Sequence, residues 1–244
     1  MKKIVKNKGI VINAMTYQEN AAIATIITEE GKKSCIIKGA KKVNSSTKRL
    51  INVPVLIEYQ STLSDSLSVL TEGVVLNNYT NIKDDIIRYN YALIVLEKLI
   101  YFSEQVSDYK VLFNFTVDIL DRLNETQYLN SIVLIFEIKL LYLLGVAPSF
   151  NHCPICGKTK YIGSLDVKHG GYLCSDCSYL KETSLNTIDS DLFKDIYVTK
   201  LHRINDEFLA KFNNHVNINK AVNYYYEWHL DFNSKTKKII EKIG

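Results

Sequence analysis

The sequence predicts an α+β fold, in which an all-β N-terminal domain is followed by a helical domain that carries a short metal-type insertion. Three observations lead to this prediction. Residues 1–80 contain β-branched and alternating apolar runs separated by turn sequences. After Asn81 the apolar residues recur at helical spacing, and two pairs of cysteines interrupt that pattern within residues 152–180. We therefore predict domains at 1–80 and 81–244, with the insertion at 152–180 inside the second domain.

The composition is that of a folded chain outside the membrane. Of the 244 residues, 47% are hydrophobic and 23% are charged, which excludes a disordered chain. The formal net charge of +4 is too small to indicate a partner by itself. The most apolar segment, Leu129 to Leu144, contains Glu137 and Lys139, and a charge at bilayer depth costs ~2.5–3.5 kcal/mol. With no secretory leader visible, we expect a cytoplasmic protein.

The first domain is predicted to contain five strands that form a small barrel or a sandwich. We expect them at Ile4–Asn13, Ala22–Thr28, Lys32–Lys38, Val55–Gln60 and Leu67–Val75. The sequence Glu29-Glu30-Gly31 supplies a turn, and Pro54 opens the fourth strand. Cys35 lies beside Ile36 and Ile37, which predicts a buried strand position for this thiol.

The second domain is predicted to be helical. One helix follows the acidic residues Asp84 and Asp85, which suit a first turn, and a second helix ends near Leu123. A third begins at Thr126 and ends before Gly145; it is apolar on all sides, so we expect it to be buried. Helical spacing returns over residues 187–201, 206–211 and 217–232.

The cysteines carry the most specific signal in the chain. Cys153, Cys156, Cys174 and Cys177 have the spacing C-x2-C-x17-C-x2-C. Two thiolates two residues apart bind one face of a zinc ion, and Gly157 allows a tight turn beside the first pair. The pattern therefore predicts a structural Zn²⁺ site. Because four thiolates fill a tetrahedral site, they leave no position for a catalytic water.

Other uses of these cysteines fit less well. Two disulfides need an oxidising compartment, and a redox Cys-x-x-Cys normally follows a βαβ pattern that this chain lacks. A zinc deaminase needs a His-x-Glu motif, which does not occur here. His152 and His169 flank the cysteines and are available as replacement ligands, although a loop position explains both more simply. We find no phosphate-binding glycine loop and no Ser/His/Asp arrangement, so we predict no catalytic residues and no enzyme.

A basic stretch predicts contact with nucleic acid. Seven cations lie within 18 residues that contain no acid: Lys32, Lys33, Lys38, Lys41, Lys42, Lys48 and Arg49. Ammonium groups clustered on a barrel loop bind phosphates. The alternative is a solvated loop, because lysine is abundant throughout the chain. Tyr17 and Tyr59 are candidate platforms for bases, but a core position explains either of them better.

The segment Tyr224-Tyr225-Tyr226-Glu227-Trp228 also has two interpretations. The simpler one is a core helix followed by a solvated tail that contains Lys235, Lys237 and Lys238. The other is an aromatic groove, rimmed by lysine, that accepts an acidic peptide with an apolar tip.

Four motifs occur in an order that suggests a family. They are Thr28-Glu29-Glu30-Gly31, Lys38-Gly39-Ala40-Lys41-Lys42, Leu144-Gly145-Val146-Ala147-Pro148 ahead of the first cysteine pair, and Gly170-Gly171-Tyr172-Leu173-Cys174. Over nearly its whole length the chain resembles the bacterial DNA repair family RecO (recombination mediator O). The resemblance implies an N-terminal OB-fold barrel, a helical domain and a zinc-binding insertion. It also implies Cys153, Cys156, Cys174 and Cys177 as ligands and the Lys38–Lys42 loop as a DNA contact.

The same resemblance implies partners and a cellular role. Such a protein would bind single- and double-stranded DNA and anneal complementary strands in the presence of single-strand binding protein (SSB). It would act with RecR and with the acidic C-terminal tail of SSB, and would indirectly assist RecA loading at the bacterial nucleoid, with no membrane partner. The alternatives are a zinc-ribbon RNA-binding protein of translation or transcription, and a zinc enzyme with an open coordination position.

Overall fold

The computed structural model describes residues 4–42, 45–62, 67–160, 162–180 and 184–243. The chain divides into two compact units, Met1–Glu125 and Thr126–Gly244. The first unit thus contains the barrel and the helices that directly follow it. The last barrel strand ends at Asn77, close to the boundary expected at residue 80. That boundary itself stays a prediction.

The first unit is built on a closed five-stranded barrel. Its strands are β1 (Ile4–Tyr17), β2 (Ala21–Thr28), β3 (Gly31–Lys38), β4 (Val55–Thr62) and β5 (Ser68–Asn77). Their order is β1-β2-β3-β5-β4, and β1 closes the barrel by pairing with β4. All pairs are antiparallel except β3 with β5, which pair in parallel over three residues only. This is the topology of an OB fold, and the predicted fold class is confirmed.

The barrel interior explains why these segments become strands. Residues such as Ile26, Ile37 and Ile57 are fully buried inside it, whereas adjacent residues such as Ile36 and Glu58 are only partly buried. A 3-10 helix, Ser46–Ile51, connects β3 to β4 and adds Leu50 to this core. Strand β1 continues four residues beyond the expected Asn13, because a bulge between Val11 and Asn13 lets it go on pairing with β2.

Three helices complete the first unit: α1 (Thr80–Asp84), α2 (Ile86–Phe102) and α3 (Tyr109–Glu125). The Asp85 carboxylate accepts hydrogen bonds from the amides of Ile87 and Arg88, and so caps α2 as its position predicted. The Asn124 side chain accepts a hydrogen bond from the amide of Ile82 at 3.2 Å, which ties α1 to the end of α3.

The second unit is mainly helical. It contains α4 (Leu129–Leu143), β6 (Ile162–Asp166), β7 (Gly171–Cys174), α5 (Thr187–Val198), α6 (Asp206–Ala210), α7 (Val216–Leu230) and α8 (Lys235–Ile243). Helix α4 is buried on all sides over residues 131–138, as its composition predicted, whereas Tyr142 near its end is exposed. Its two charges have partners: the Glu137 carboxylate lies 2.7 Å from the Lys237 ammonium, and Lys139 donates to the backbone carbonyls of Tyr197 and Thr199. Within the described residues, no helix combines the length and the apolar character that crossing a membrane requires.

Candidate metal centre and nucleic-acid surface

The four predicted ligands come together in the second unit. The sulfur atoms of Cys153, Cys156, Cys174 and Cys177 all lie within 4.8 Å of one another. The sulfurs of Cys156 and Cys174 are 3.5 Å apart. A tetrahedral zinc ion with Zn–S bonds of about 2.3 Å requires sulfur separations of about 3.8 Å, so the cluster has the size that such an ion needs. Among the residues described, no other group of three or more His, Cys, Asp or Glu side chains is placed to hold a metal ion.

Local backbone geometry places each cysteine pair. After the first pair, Gly157 adopts a left-handed conformation (φ +74°), and its amide donates to the Cys153 carbonyl at 2.9 Å. The second pair begins at the end of β7 with Cys174 and continues into a 3-10 helix, Ser175–Leu180. Cys153, Cys174 and Cys177 are buried, whereas Cys156 is exposed. The centre therefore lies at the surface with one open edge.

The cluster also has the electrostatics of a cation site. Burial works against ionisation of Cys153, but hydrogen bonds from the backbone at Cys174, Cys156 and Ile155 outweigh it and lower the pKa of this thiol to about 6. At Cys177, burial and the neighbouring thiols raise the pKa to about 12. Ionising a second thiol beside the first therefore costs free energy unless a cation is present. A bound metal ion would supply that positive charge.

The two flanking histidines are not brought into the cluster. The ring of His169 lies 2.8 Å from the Asp166 carboxylate, which also accepts hydrogen bonds from the His169 amide and from the Ser184 hydroxyl. His152 is exposed, and its carbonyl accepts a hydrogen bond from Ser149. Asp166 is itself fully buried and holds the turn between β6 and β7. No sequence motif predicted this role for Asp166. The only available signal was its position three residues before His169 in a hairpin turn.

The basic stretch divides into three parts. Lys32 is used inside the first unit: its ammonium lies 3.1 Å from Glu104 and 3.3 Å from the Ile100 carbonyl. Lys33 is exposed near the start of β3, whereas Lys38 is exposed at the end of this strand. The two are roughly 16 Å apart along the strand, at 3.3 Å per residue. The strand thus carries Lys33 and Lys38 to opposite ends of the barrel.

The remaining cations gather beside the loop that follows β3. They are Lys38, Lys41, Lys42, Lys48 and Arg49, and all five are exposed. Ala40 is fully buried in the barrel core and anchors the loop, while Gly39 (φ +72°) supplies its turn. The Thr47 hydroxyl donates to the Lys38 carbonyl at 3.3 Å, which joins the loop to the 3-10 helix. We call these five side chains the basic loop surface.

Comparison with known proteins places the chain in a family. The family model described as "Recombination protein O N terminal" matches residues 1–79, and "Recombination protein O C terminal" matches residues 83–238. The chain belongs to the RecO family. Membership gives it a role in DNA repair and recombination.

Curated relatives cover nearly the full length of the chain. The DNA repair protein RecO of Bacillus subtilis is 27% identical over an alignment of 247 positions, which covers 98% of this chain and 95% of that protein. RecO of Listeria monocytogenes is 27% identical over 243 residues, or 98% of this chain and 94% of that protein. RecO of Syntrophomonas wolfei is 31% identical over 176 residues, which cover 72% and 70% of the two chains.

The barrel also contains the two candidate base platforms and Cys35. Tyr59 is 2% exposed, and burial raises the pKa of its hydroxyl well above the ordinary value, so this ring belongs to the core rather than to a stacking surface. Tyr17 is half-buried, and a stacking role for it stays a prediction. Cys35 lies in the barrel core as predicted, where burial raises the pKa of the thiol to about 11.

Proposed function

We propose that this RecO-family chain binds single- and double-stranded DNA and anneals complementary strands in the presence of SSB, acting with RecR and the acidic SSB tail to assist RecA loading. The observation that carries the proposal is the basic loop surface, on which five exposed cations surround one anchored loop of an OB-fold barrel. Family membership supports the same role.

The physical basis of annealing is charge neutralisation. Two complementary strands repel each other through their phosphates, and ammonium groups that contact both strands lower this repulsion and release counterions. Lys41 and Lys42 are adjacent on the loop, and Arg49 adds a planar group that can bind a phosphate through two donors. No step breaks or forms a covalent bond, so the proposed role is that of a mediator rather than an enzyme.

Zinc has a structural part in this proposal. Cys153, Cys156, Cys174 and Cys177 would hold Zn²⁺, and the ion would cross-link the two cysteine pairs without offering a position to substrate. The small size of the local core supports this part: the cluster of buried residues there consists of Leu173 and three of the cysteines. So few apolar side chains provide little folding energy, and a metal ion would supply the rest.

The first test is annealing. Complementary oligonucleotides coated with cognate SSB are mixed, and duplex formation is followed by fluorescence with and without the protein. We expect faster annealing, and we expect the double variant Lys41→Ala/Lys42→Ala to lose most of this acceleration. Lys6→Ala is the matched control, because Lys6 is an exposed barrel lysine whose surface ion pair with Glu58 contributes little.

The outcome distinguishes a DNA-annealing mediator from an RNA-binding protein. Acceleration that depends on Lys41 and Lys42 supports the annealing role. Binding to structured RNA as tight as to DNA, together with no acceleration, would favour an RNA-binding protein instead.

A further inference from the structure

We propose that α7 carries a second binding site for single-stranded nucleic acid, in which a base stacks on the paired rings of Tyr224 and Trp228 while lysines hold the adjacent phosphates. The site lies in the unit Thr126–Gly244, whereas the basic loop surface belongs to the barrel. It rests on the proposed DNA binding and extends it from phosphate contacts to base contacts.

The aromatic segment of α7 divides between core and surface. Tyr225 and Tyr226 are each 2% exposed, and their hydroxyls donate to the carbonyls of Val146 and Glu137 at 2.8 Å. These two residues meet the expectation of a core helix. Trp228, in contrast, is 50% exposed and lies one turn after the half-buried Tyr224. The two rings stack at a centroid distance of 6.0 Å and an interplanar angle of 19°.

This stacked pair, with its exposed Trp228, has the form of a base platform. Flat aromatic rings bind bases of any sequence by stacking, because every base has a π-face. Burial in the core accounts for only part of Trp228, since the residue remains 50% exposed. The platform therefore offers apolar area that a flat ligand can still cover.

A cation is already held over the platform. The Lys168 ammonium lies 4.8 Å from the centre of the Trp228 ring. Lys168 belongs to the turn between β6 and β7, and this turn is fixed against α7 by a 2.7 Å hydrogen bond between the His229 ring and the Val167 carbonyl. Base stacking is stronger than an exposed cation–π contact. An arriving base would thus replace the ammonium on the ring, and the ammonium would move to the neighbouring phosphate.

A groove continues from the platform along the same face of α7. It has a volume of about 550 Å³, which is within the usual range of ligand cavities, about 300–1,000 Å³. Its lining includes Asn217, Lys220 and Tyr224 of α7 together with Asn186 and Asp189. Lys220 is exposed one turn before Tyr224, where it can contact a second phosphate.

The charges favour a nucleic-acid strand over an acidic peptide. Lys168, over Trp228, and Lys220, two turns earlier on α7, provide cations for separate phosphates of one strand. The groove also contains the carboxylate of Asp189, which accepts hydrogen bonds from Asn186 and Asn217 at 2.9 and 2.8 Å, and Glu227 is exposed next to Trp228. A peptide with several carboxylates would meet these acids, whereas a strand can present its uncharged bases to them.

Trp228 is the only tryptophan of the chain, so its fluorescence reports on this site alone. The full-length protein is titrated with oligo(dT) at low salt, with excitation where tyrosine does not absorb, while the anisotropy of a labelled oligo(dT) reports on total binding. We expect Trp228 emission to be quenched at the concentrations at which anisotropy rises. We expect Trp228→Ala to weaken binding by about 5- to 100-fold, the range for loss of one stacked base.

Variants separate stacking from folding. Trp228→Phe keeps a ring and should retain most of the affinity. Lys168→Ala should lower the slope of log affinity against log salt by about 0.7, the value for one phosphate of a single strand. Tyr142→Ala is the matched control: it removes an exposed ring, 65% accessible, from α4 of the same unit and should change neither signal.

Three results would overturn the proposal. Anisotropy that rises without any change in Trp228 emission, and with unchanged affinity in Trp228→Ala, would leave DNA binding intact and reject this site. Quenching by an acidic peptide with an apolar end, but not by oligo(dT), would assign the groove to a peptide. No rise in anisotropy would reject both the site and the proposed function.

Discussion

At the scale of single residues, the ion pair between Glu137 and Lys237 joins α4 to α8. Glu137 is fully buried in the mainly apolar α4, and Lys237 reaches it at 2.7 Å and donates to Asn223 at the same distance. Removing one partner of a buried pair leaves a charge in an apolar environment, which costs far more than the pair contributes.

We therefore expect Lys237→Met to destabilise the protein by about 3–5 kcal/mol. The double variant Glu137→Gln/Lys237→Met should recover a large part of this loss, because no buried charge remains. Urea unfolding at constant m-value measures both. The control is Lys238→Met, which makes the same change at an exposed neighbouring position. A Lys237→Met protein as stable as the parent chain would mean that the ion pair does not contribute to stability.

At the scale of elements, the hairpin β6–β7 holds the metal centre with very little hydrophobic core of its own. The spacing C-x2-C-x17-C-x2-C was enough to predict that the four cysteines converge, because each Cys-x-x-Cys pair forms locally and two such pairs complete one tetrahedral site. The strands of the barrel were predictable for a similar reason, since alternation along eight residues shows which face is buried. The sequence could not predict that Lys32 is separated in role from the other cations of the basic stretch. Lys32 pairs with Glu104, and the position of Glu104 depends on how α2 packs on the barrel.

The hairpin leads to a prediction about metal removal. We expect Cys174→Ser, or a zinc chelator, to lower the melting temperature and the solubility, since the ion contributes to folding of the hairpin. The loss of DNA affinity that Lys41→Ala/Lys42→Ala causes should change by less than about threefold, since the basic loop surface does not depend on the ion. Thermal unfolding and a colorimetric zinc assay measure this. Cys35→Ala, which changes the remaining cysteine in the barrel core, should keep one zinc per chain. A tenfold loss of affinity in Cys174→Ser at unchanged stability would contradict a structural role.

At the scale of the whole molecule, the distribution of charge matters more than its sum. A net charge of +4 over 244 residues produces only a weak long-range field. The five cations of the basic loop surface are nevertheless concentrated on one loop and one short helix, where several phosphates of a strand can contact them together. The cation over Trp228 could not be foreseen, because Lys168 and Trp228 are 60 positions apart and meet only through the packing of the β6–β7 turn on α7.

This distribution predicts a steep dependence of DNA binding on salt. The five phosphate contacts of the basic loop surface should by themselves make log affinity for single strands fall against log salt with a slope near −3.5, or about 100-fold between 50 and 200 mM, and the lysines of the α7 site would add to this slope. The double variant Lys41→Ala/Lys42→Ala should reduce that slope by about 1.4, whereas Lys6→Ala should leave it unchanged. Anisotropy titrations of a labelled oligonucleotide at four salt concentrations measure both quantities. A flat dependence would place the affinity in stacking or hydrogen bonding, and the basic loop surface would then no longer account for DNA binding.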